Sequence, residues 1–162
     1  MFKQIMVPLD GSRFSSHALR YAIDIAKKFD AKLHLVRSVE PTMPVTSAVA
    51  TLGIETASSA QVAVEAAVRQ DRINTRRAER YMKKKQHELT SHDIKADFHV
   101  VAGHPYDAIM KFCRKEKIDL VVMTTHGKSG LKRAVLGSIA DKVVRDPRVP
   151  VLVIRPVSRK RK

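Results

Sequence analysis

The chain of 162 residues holds one cysteine, Cys113, and half as many acidic as basic residues, 16 Asp and Glu against 31 Lys and Arg. A lone thiol closes no internal disulfide, and without ligand-type spacing around it Cys113 carries no zinc or redox argument; a semi-buried helix position is expected. No apolar run approaches the roughly 20 residues of a membrane span, and the N-terminus enters a strand pattern without the apolar core of a signal peptide. Both absences lead to the expectation of a cytoplasmic protein without a membrane span. The seven histidines show no H-E-x-x-H spacing, so no metal site is expected. No Ser-His-Asp order, paired carboxylates or general base stands out, so no catalytic residue is assigned.

The familiar phosphate motifs are missing too. Gly127-Lys128-Ser129 resembles the end of a P-loop, but Val122 stands where that motif needs its first glycine. No G-x-G occurs, which removes the dinucleotide fingerprint.

What is present is a strand-loop-helix pattern from Ile118 to Arg145. Leu120-Val121-Val122-Met123 is a short apolar run bounded by polar residues, as in a strand buried on both faces. Thr124 to Gly130 then forms a glycine-bearing loop, and Gly137-Ser138 introduces a helix that starts at Ser138 and carries Ile139, Val143 and Val144. A strand, a glycine loop and a helix start in this order form an anion site, because backbone N–H groups approach the guest closely and the helix dipole favours negative charge.

Along the rest of the chain, Phe2 to Leu9 reads as the first strand, ending near Pro8. After Asp10-Gly11-Ser12, helical spacing of Ala18, Leu19, Ala22, Ile23 and Ala26 predicts a helix from Ser15 or Ser16 to Phe29-Asp30, capped by Ser12 or Ser15. Lys32 to Val39 is the second strand. Pro41 to Ser59 reads as a mobile loop, followed by one long helix or two joined ones over residues 60–91 with Val62, Val64, Val68, Ile73, Tyr81 and Leu89 as apolar contacts. Ile94 to Val101 alternates as a third strand. Pro105 opens a helix packed through Tyr106, Ile109, Met110 and Cys113, and Val149 to Ile154 is the fifth strand.

Strands alternating with helices predict an α/β fold: an open, doubly wound, five-stranded parallel sheet, Rossmann-like, with helices on both faces. One domain over residues 1–156 suffices, with residues 42–91 as a loop plus basic helical segment and 157–162 as a basic tail. Ligands of such sheets bind at the carboxyl ends of the strands where strand order reverses. If the first and fourth strands flank that reversal, Pro8-Leu9-Asp10 meets Thr124 to Gly127 there.

Gly127, nine intervening residues and Gly137-Ser138 resemble the G-x2-G-x9-G-[S/T] pattern of the universal stress protein family, nucleotide-binding type. The resemblance runs from Val7-Pro8-Leu9-Asp10-Gly11-Ser12 to Val149 through Ile154 and departs mainly between Pro41 and Ser91. Thr124 replaces the first glycine of the pattern. The resemblance implies a fold like that of the adenine-nucleotide alpha hydrolases and an ATP or other adenine-nucleotide ligand, with Mg2+ as its companion ion. It places Pro8, Asp10 and Ser38 around adenine and ribose. Met123, Thr124, His126, Gly127, Gly137, Ser138, Ile139 and Ala140 are implied to hold sugar and phosphates. The fold's enzyme signatures, S-G-G-x-D-S or H-I-G-H with K-M-S-K-S, are absent, so a stress-response binding module acting through nucleotide-dependent conformation or assembly is expected, with a weak ATPase as the alternative reading. An unidentified regulatory protein is the implied partner.

Each residue also has a plainer use. Asp10 before Gly11-Ser12 suits a turn, His126 a loop hydrogen bond, and the two glycines backbone conformation. The apolar terminal strand Val149 to Ile154 would be an exposed edge, which pairing with a second copy covers, so a homodimer is expected. The net charge of +15 gathers in Arg72 to Lys85 and in the tail from Arg155. It reads as a solvated helix face or, in the competing function class, as a polyanion-binding surface for nucleic acid.

Overall fold

The computed structural model describes residues 1–42, 57–125, 136–146 and 148–155. Its elements run β1 (Gln4–Pro8), α1 (Ser15–Phe29), β2 (Lys32–Val39), α2 (Ala57–Thr90), β3 (Ala96–Ala102), α3 (Pro105–Lys115), β4 (Leu120–Thr124), α4 (Ser138–Val144) and β5 (Val151–Ile154). The strands form one five-stranded sheet in the order β3-β2-β1-β4-β5. Every pairing is parallel, with Gln4 opposite Lys32, Ile5 opposite Leu120, Leu33 opposite Ala96 and Val121 opposite Val151. The order reverses between β1 and β4, as the doubly wound reading expects.

Alternation along the central strands sends successive side chains to opposite faces. Ile5, Val7, Leu33, Leu35, Leu120 and Val122 pack with Ala18, Leu19 and Ala22 of α1 and Met82 and Leu89 of α2. Met6, Val36, Val121 and Met123 pack on the other face with Ile109, Met110, Phe112 and Cys113 of α3 and Ala140 and Val143 of α4. Because both faces are covered, these strands are apolar throughout, which is why Leu120-Val121-Val122-Met123 lacks alternation in sequence.

Local chemistry sets the element ends. The N-cap position of α1 is Phe14, with no side-chain cap, so neither Ser12 nor Ser15 stands there; the Ser12 hydroxyl instead accepts the Ser15 N–H at 3.1 Å across the turn before the helix. Asp30 closes α1 in the left-handed conformation at φ 49°. Pro105 occupies the first turn of α3, where its missing N–H is harmless. Cys113 is fully buried rather than semi-buried, its sulfur 4.0 Å from Met6 Sδ. Burial, then the nearby Asp146 carboxylate, pushes its thiol up to about 11, which removes the reactive thiolate at neutral pH.

Two expectations need correction. The basic segment is a single 34-residue helix, α2, one of the two forms expected, but three of the apolar contacts assigned to its first half fail: Val62, Val68 and Ile73 are exposed and Val64 is half-buried, whereas the core is met by Ala78, Met82 and Leu89. The buried residues of α2 all lie from Ala78 onward, where the helix meets the core. The fifth strand begins at Val151, two residues later than read, although Val149 before it is buried. The loop expected over Pro41 to Ser59 and the tail after Arg155 lie almost wholly outside the described residues.

Candidate functional site

A cavity of about 340 Å³ opens at the carboxyl ends of β1 and β4, at the point where strand order reverses. Four chain segments far apart in sequence line it, among them the first turn of α3 with Pro105, Ala108 and Ile109. The exit of β1 supplies Pro8, Leu9 and Asp10; β2 adds Val36 and Ser38; and β4 with the start of α4 adds Met123, Thr124, Gly137, Ser138 and Ile139.

The β1 exit is held by backbone geometry. Leu9 N–H donates to Val36 O at 2.8 Å, and Ser12 N–H donates to Asp10 Oδ1 at 2.9 Å. Asp10 therefore does serve the turn. Gly11 sits at φ 83°, where an L side chain is strained, and an added Cβ would lie 3.0 Å from the Arg37 guanidinium. Arg37 in turn stands over the Tyr81 ring at 5.3 Å, tying the turn to α2.

The β4 exit is tied to α4 by Gly137 N–H, which donates to Thr125 O at 2.7 Å. Gly137 has φ −62° and ψ 151°, an ordinary extended conformation. Backbone conformation therefore does not demand glycine there. Thr124 is the last residue of β4, is buried, and pairs with Ile154. It is absent from the residues with positive φ, so the threonine keeps strand geometry at the position where the motif has glycine.

Of the residues singled out from sequence, Pro8, Asp10, Ser38, Met123, Thr124, Gly137, Ser138 and Ile139 line this cavity together. Ala140 is buried beneath it, packed with Val143 in the core on the α3 face. His126 and Gly127 lie outside the described residues. Sequence reasoning missed Val36, Ser15 and the α3 residues Pro105, Ala108 and Ile109. The Gly103-His104-Pro105 step marked a helix start, but that the first turn of α3 forms a cleft wall follows only from how α3 crosses the sheet. Ser15 is a structural member, its hydroxyl donating to Ser12 O at 3.0 Å.

The wall is chemically two-sided. Val36, Pro105, Ala108, Ile109 and Met123 make an apolar slot, while Asp10, Ser38, Thr124 and Ser138 put a carboxylate and hydroxyls at its rim. Such a slot takes a flat apolar ring, and a rim of this kind orients hydroxyl-bearing groups beside it. Among the described residues, no group of three or more His, Cys, Asp or Glu is placed to hold a metal ion, and no helix is long and apolar enough to cross a membrane.

The model of the Usp, or Universal stress protein, family matches residues 1–155. The chain belongs to the universal stress protein family. Universal stress protein MJ0531 of Methanocaldococcus jannaschii is 32% identical over 155 residues, spanning 96% of this chain and 83% of the relative. Among solved structures, the hypothetical protein MJ0577, from the same organism, superposes with a TM-score of 0.79 at 23% identity, covering 98% of this chain and 99% of the other. A universal stress protein family protein of Arabidopsis thaliana, solved with AMP bound, superposes at 0.61 with 14% identity over 96% and 93% of the two chains. Another universal stress protein, solved in complex with cAMP, gives 0.56 at 24% identity over 94% and 97%. At these identities the solved structures establish the shared five-stranded parallel fold.

Proposed function

We propose that the cavity at the β1–β4 crossing binds an adenine nucleotide, ATP foremost, and that this universal stress protein works as a regulatory binding module. The observation that carries the reading is convergence: Asp10, Thr124 and Gly137-Ser138 are spread over most of the sequence yet border one apolar slot at the strand ends. Singly, each residue has a structural use; together they match what a nucleoside phosphate needs. The slot of Val36, Ile109 and Met123 holds the base, Asp10 and Ser38 meet the ribose, and Thr124, Ser138 and the backbone N–H groups of Ser138, Ile139 and Ala140 face the phosphates, with His126 and Gly127 completing that side. Relatives that carry AMP and cAMP support an adenine ligand.

Mg2+ would arrive with the nucleotide. That ion keeps several waters and binds through the phosphate oxygens of the nucleotide. In this reading the output is assembly or conformation, with slow ATP hydrolysis as the alternative. Residues 1–156 form the binding unit in this reading, acting in the cytoplasm on a protein partner.

Isothermal titration calorimetry on nucleotide-free protein with ATP, ADP, AMP and cAMP decides the matter. Saturable heat with at least one of them is expected, and its absence for all four at millimolar concentration would remove the proposal.

A further inference from the structure

The basic residues of α2 acquire a geometry that the sequence alone leaves open. Successive residues of a helix are turned by about 100°. On that wheel Arg69, Arg72, Arg76, Arg80 and Lys83 fall within about 60° of one line, one cation for nearly every turn over about 21 Å. The buried residues Ala78, Met82 and Leu89 are centred about 140° from that line, towards the other side of the helix. All five cations are exposed. Arg77 and Lys84, also exposed, flank the line. Between Arg69 and Lys85 there are eight basic and two acidic residues, Asp71 and Glu79. Asp71 is engaged by the Thr42 N–H at 2.6 Å. Among the described residues, the one ion pair on α2 joins Lys85 to Glu88 at 2.7 Å, and none engages the five cations of the line.

We infer that this face of α2 is a docking stripe for the phosphate backbone of duplex nucleic acid, bound without regard to sequence. A straight row of unpaired guanidinium and ammonium groups, away from the packed side, presents charge to a rod-shaped polyanion while the core contacts of α2 stay intact. Guanidinium groups suit phosphate oxygens by their planar fork. The row offers no aromatic platform, since Tyr81 lies under Arg37, so single strands gain no stacking there. An anionic membrane fits less well. Adsorbed amphipathic helices bury an apolar face, and here the packed apolar residues point into the core, leaving Val62 and Ile73 as isolated exposed apolar residues on the charged side.

The test is fluorescence anisotropy of a labelled 30-base-pair mixed-sequence duplex with the full chain, between 50 and 200 mM KCl. Neutralising five phosphates gives a log–log slope of about −4.5, so affinity should fall about 500-fold across that range. The variant Arg72→Gln/Arg76→Gln/Arg80→Gln changes only exposed side chains. It should keep its melting temperature and nucleotide heats while its slope shrinks to about −1.8, a loss of about twelvefold across the same range. A second full-length variant, Arg159→Gln/Lys160→Gln/Arg161→Gln/Lys162→Gln, should leave at least half of the slope. The inference is overturned if the tail variant abolishes binding while the α2 variant does not. Tighter binding to vesicles of phosphatidylserine and phosphatidylcholine than to the duplex at 150 mM KCl would overturn it as well, as would no duplex binding at 50 mM.

Discussion

The imidazoles of His34 on β2 and His99 on β3 face each other, Nδ1 to Nε2 at 3.5 Å, with ring centroids 5.6 Å apart and Phe112 packed against both. His34 Nε2–H donates to Gln4 Oε1 at 2.6 Å, so Nδ1 of the neutral ring is the acceptor for His99. Protonating His34 turns that acceptor into a donor facing a donor.

Burial comes first in lowering the basicity of both rings, and His99 adds to the effect on His34. Asp97 and Glu116 oppose it, while Lys32 acts with it on both rings and Lys115 on His99. A depressed histidine pKa means that the unfolded chain binds the proton more readily. The contribution to stability is thus fully present above the unfolded value of about 6.5 and is lost as pH falls towards the folded values. Melting temperature should drop between pH 7.5 and pH 5, and more gently in His99→Gln. Parallel curves for the two proteins would refute the role of the pair.

Gly137 tolerates a side chain by conformation, at φ −62°, yet it lines the cavity. Gly137→Asp should therefore leave the fold in place and set a carboxylate where phosphate is expected. Nucleotide affinity should fall at least about tenfold, or roughly 1.4 kcal/mol, with a shift in melting temperature of only a few degrees. Undiminished binding would contradict the phosphate placement.

Thr124→Gly restores the glycine of the family pattern but removes a buried β-branched side chain from a strand. Because Thr124 already has strand geometry, the expected result is no gain in affinity and a loss of stability of about 1 kcal/mol. A tenfold gain by calorimetry would mean that the threonine obstructs the site.

Tyr106 of α3 donates its hydroxyl to Asp146 Oδ2 at 2.9 Å, and Arg148 binds the same carboxylate through Nε at 2.7 Å and through Nη2. Arg148, with help from Tyr106, holds the Asp146 carboxyl far below the usual range. This stability is present above the unfolded value of about 3.9 and disappears as pH falls through the folded one. Tyr106→Phe should cost about 1 kcal/mol in urea unfolding at pH 7. No change in the midpoint would show that Arg148 alone satisfies Asp146.

Among the described residues β5 pairs with β4 alone, and none of Val151, Leu152, Val153 or Ile154 is fully buried. Pairing with a second copy would cover such an apolar edge; light scattering at micromolar concentration should then give a dimer, converted to monomer by Val153→Lys. A monomeric native protein would end this expectation.

Local pattern was enough to read most of the architecture. Lys32 to Val39, Pro105 and the helix start at Ser138 stand where propensity, proline and spacing put them, because those signals act over a few residues. The cleft was legible in part for the same reason: Asp10 and Gly137-Ser138 sit at strand and helix ends that the sequence marks. What it could not mark is which helix covers which stretch. Val68 and Ile73 look as apolar as Met82, yet only Met82 is buried, since burial depends on where a 34-residue helix crosses a sheet narrower than itself. Likewise Val36, Ala108 and Ile109 carry no motif. They became walls of the cavity only when the parallel order β2-β1-β4 set the end of β2 and the first turn of α3 beside the exits of β1 and β4. Spacing by three or four residues aligns five cations of α2 on one face; that this face is left exposed was decided by the packed side of the helix.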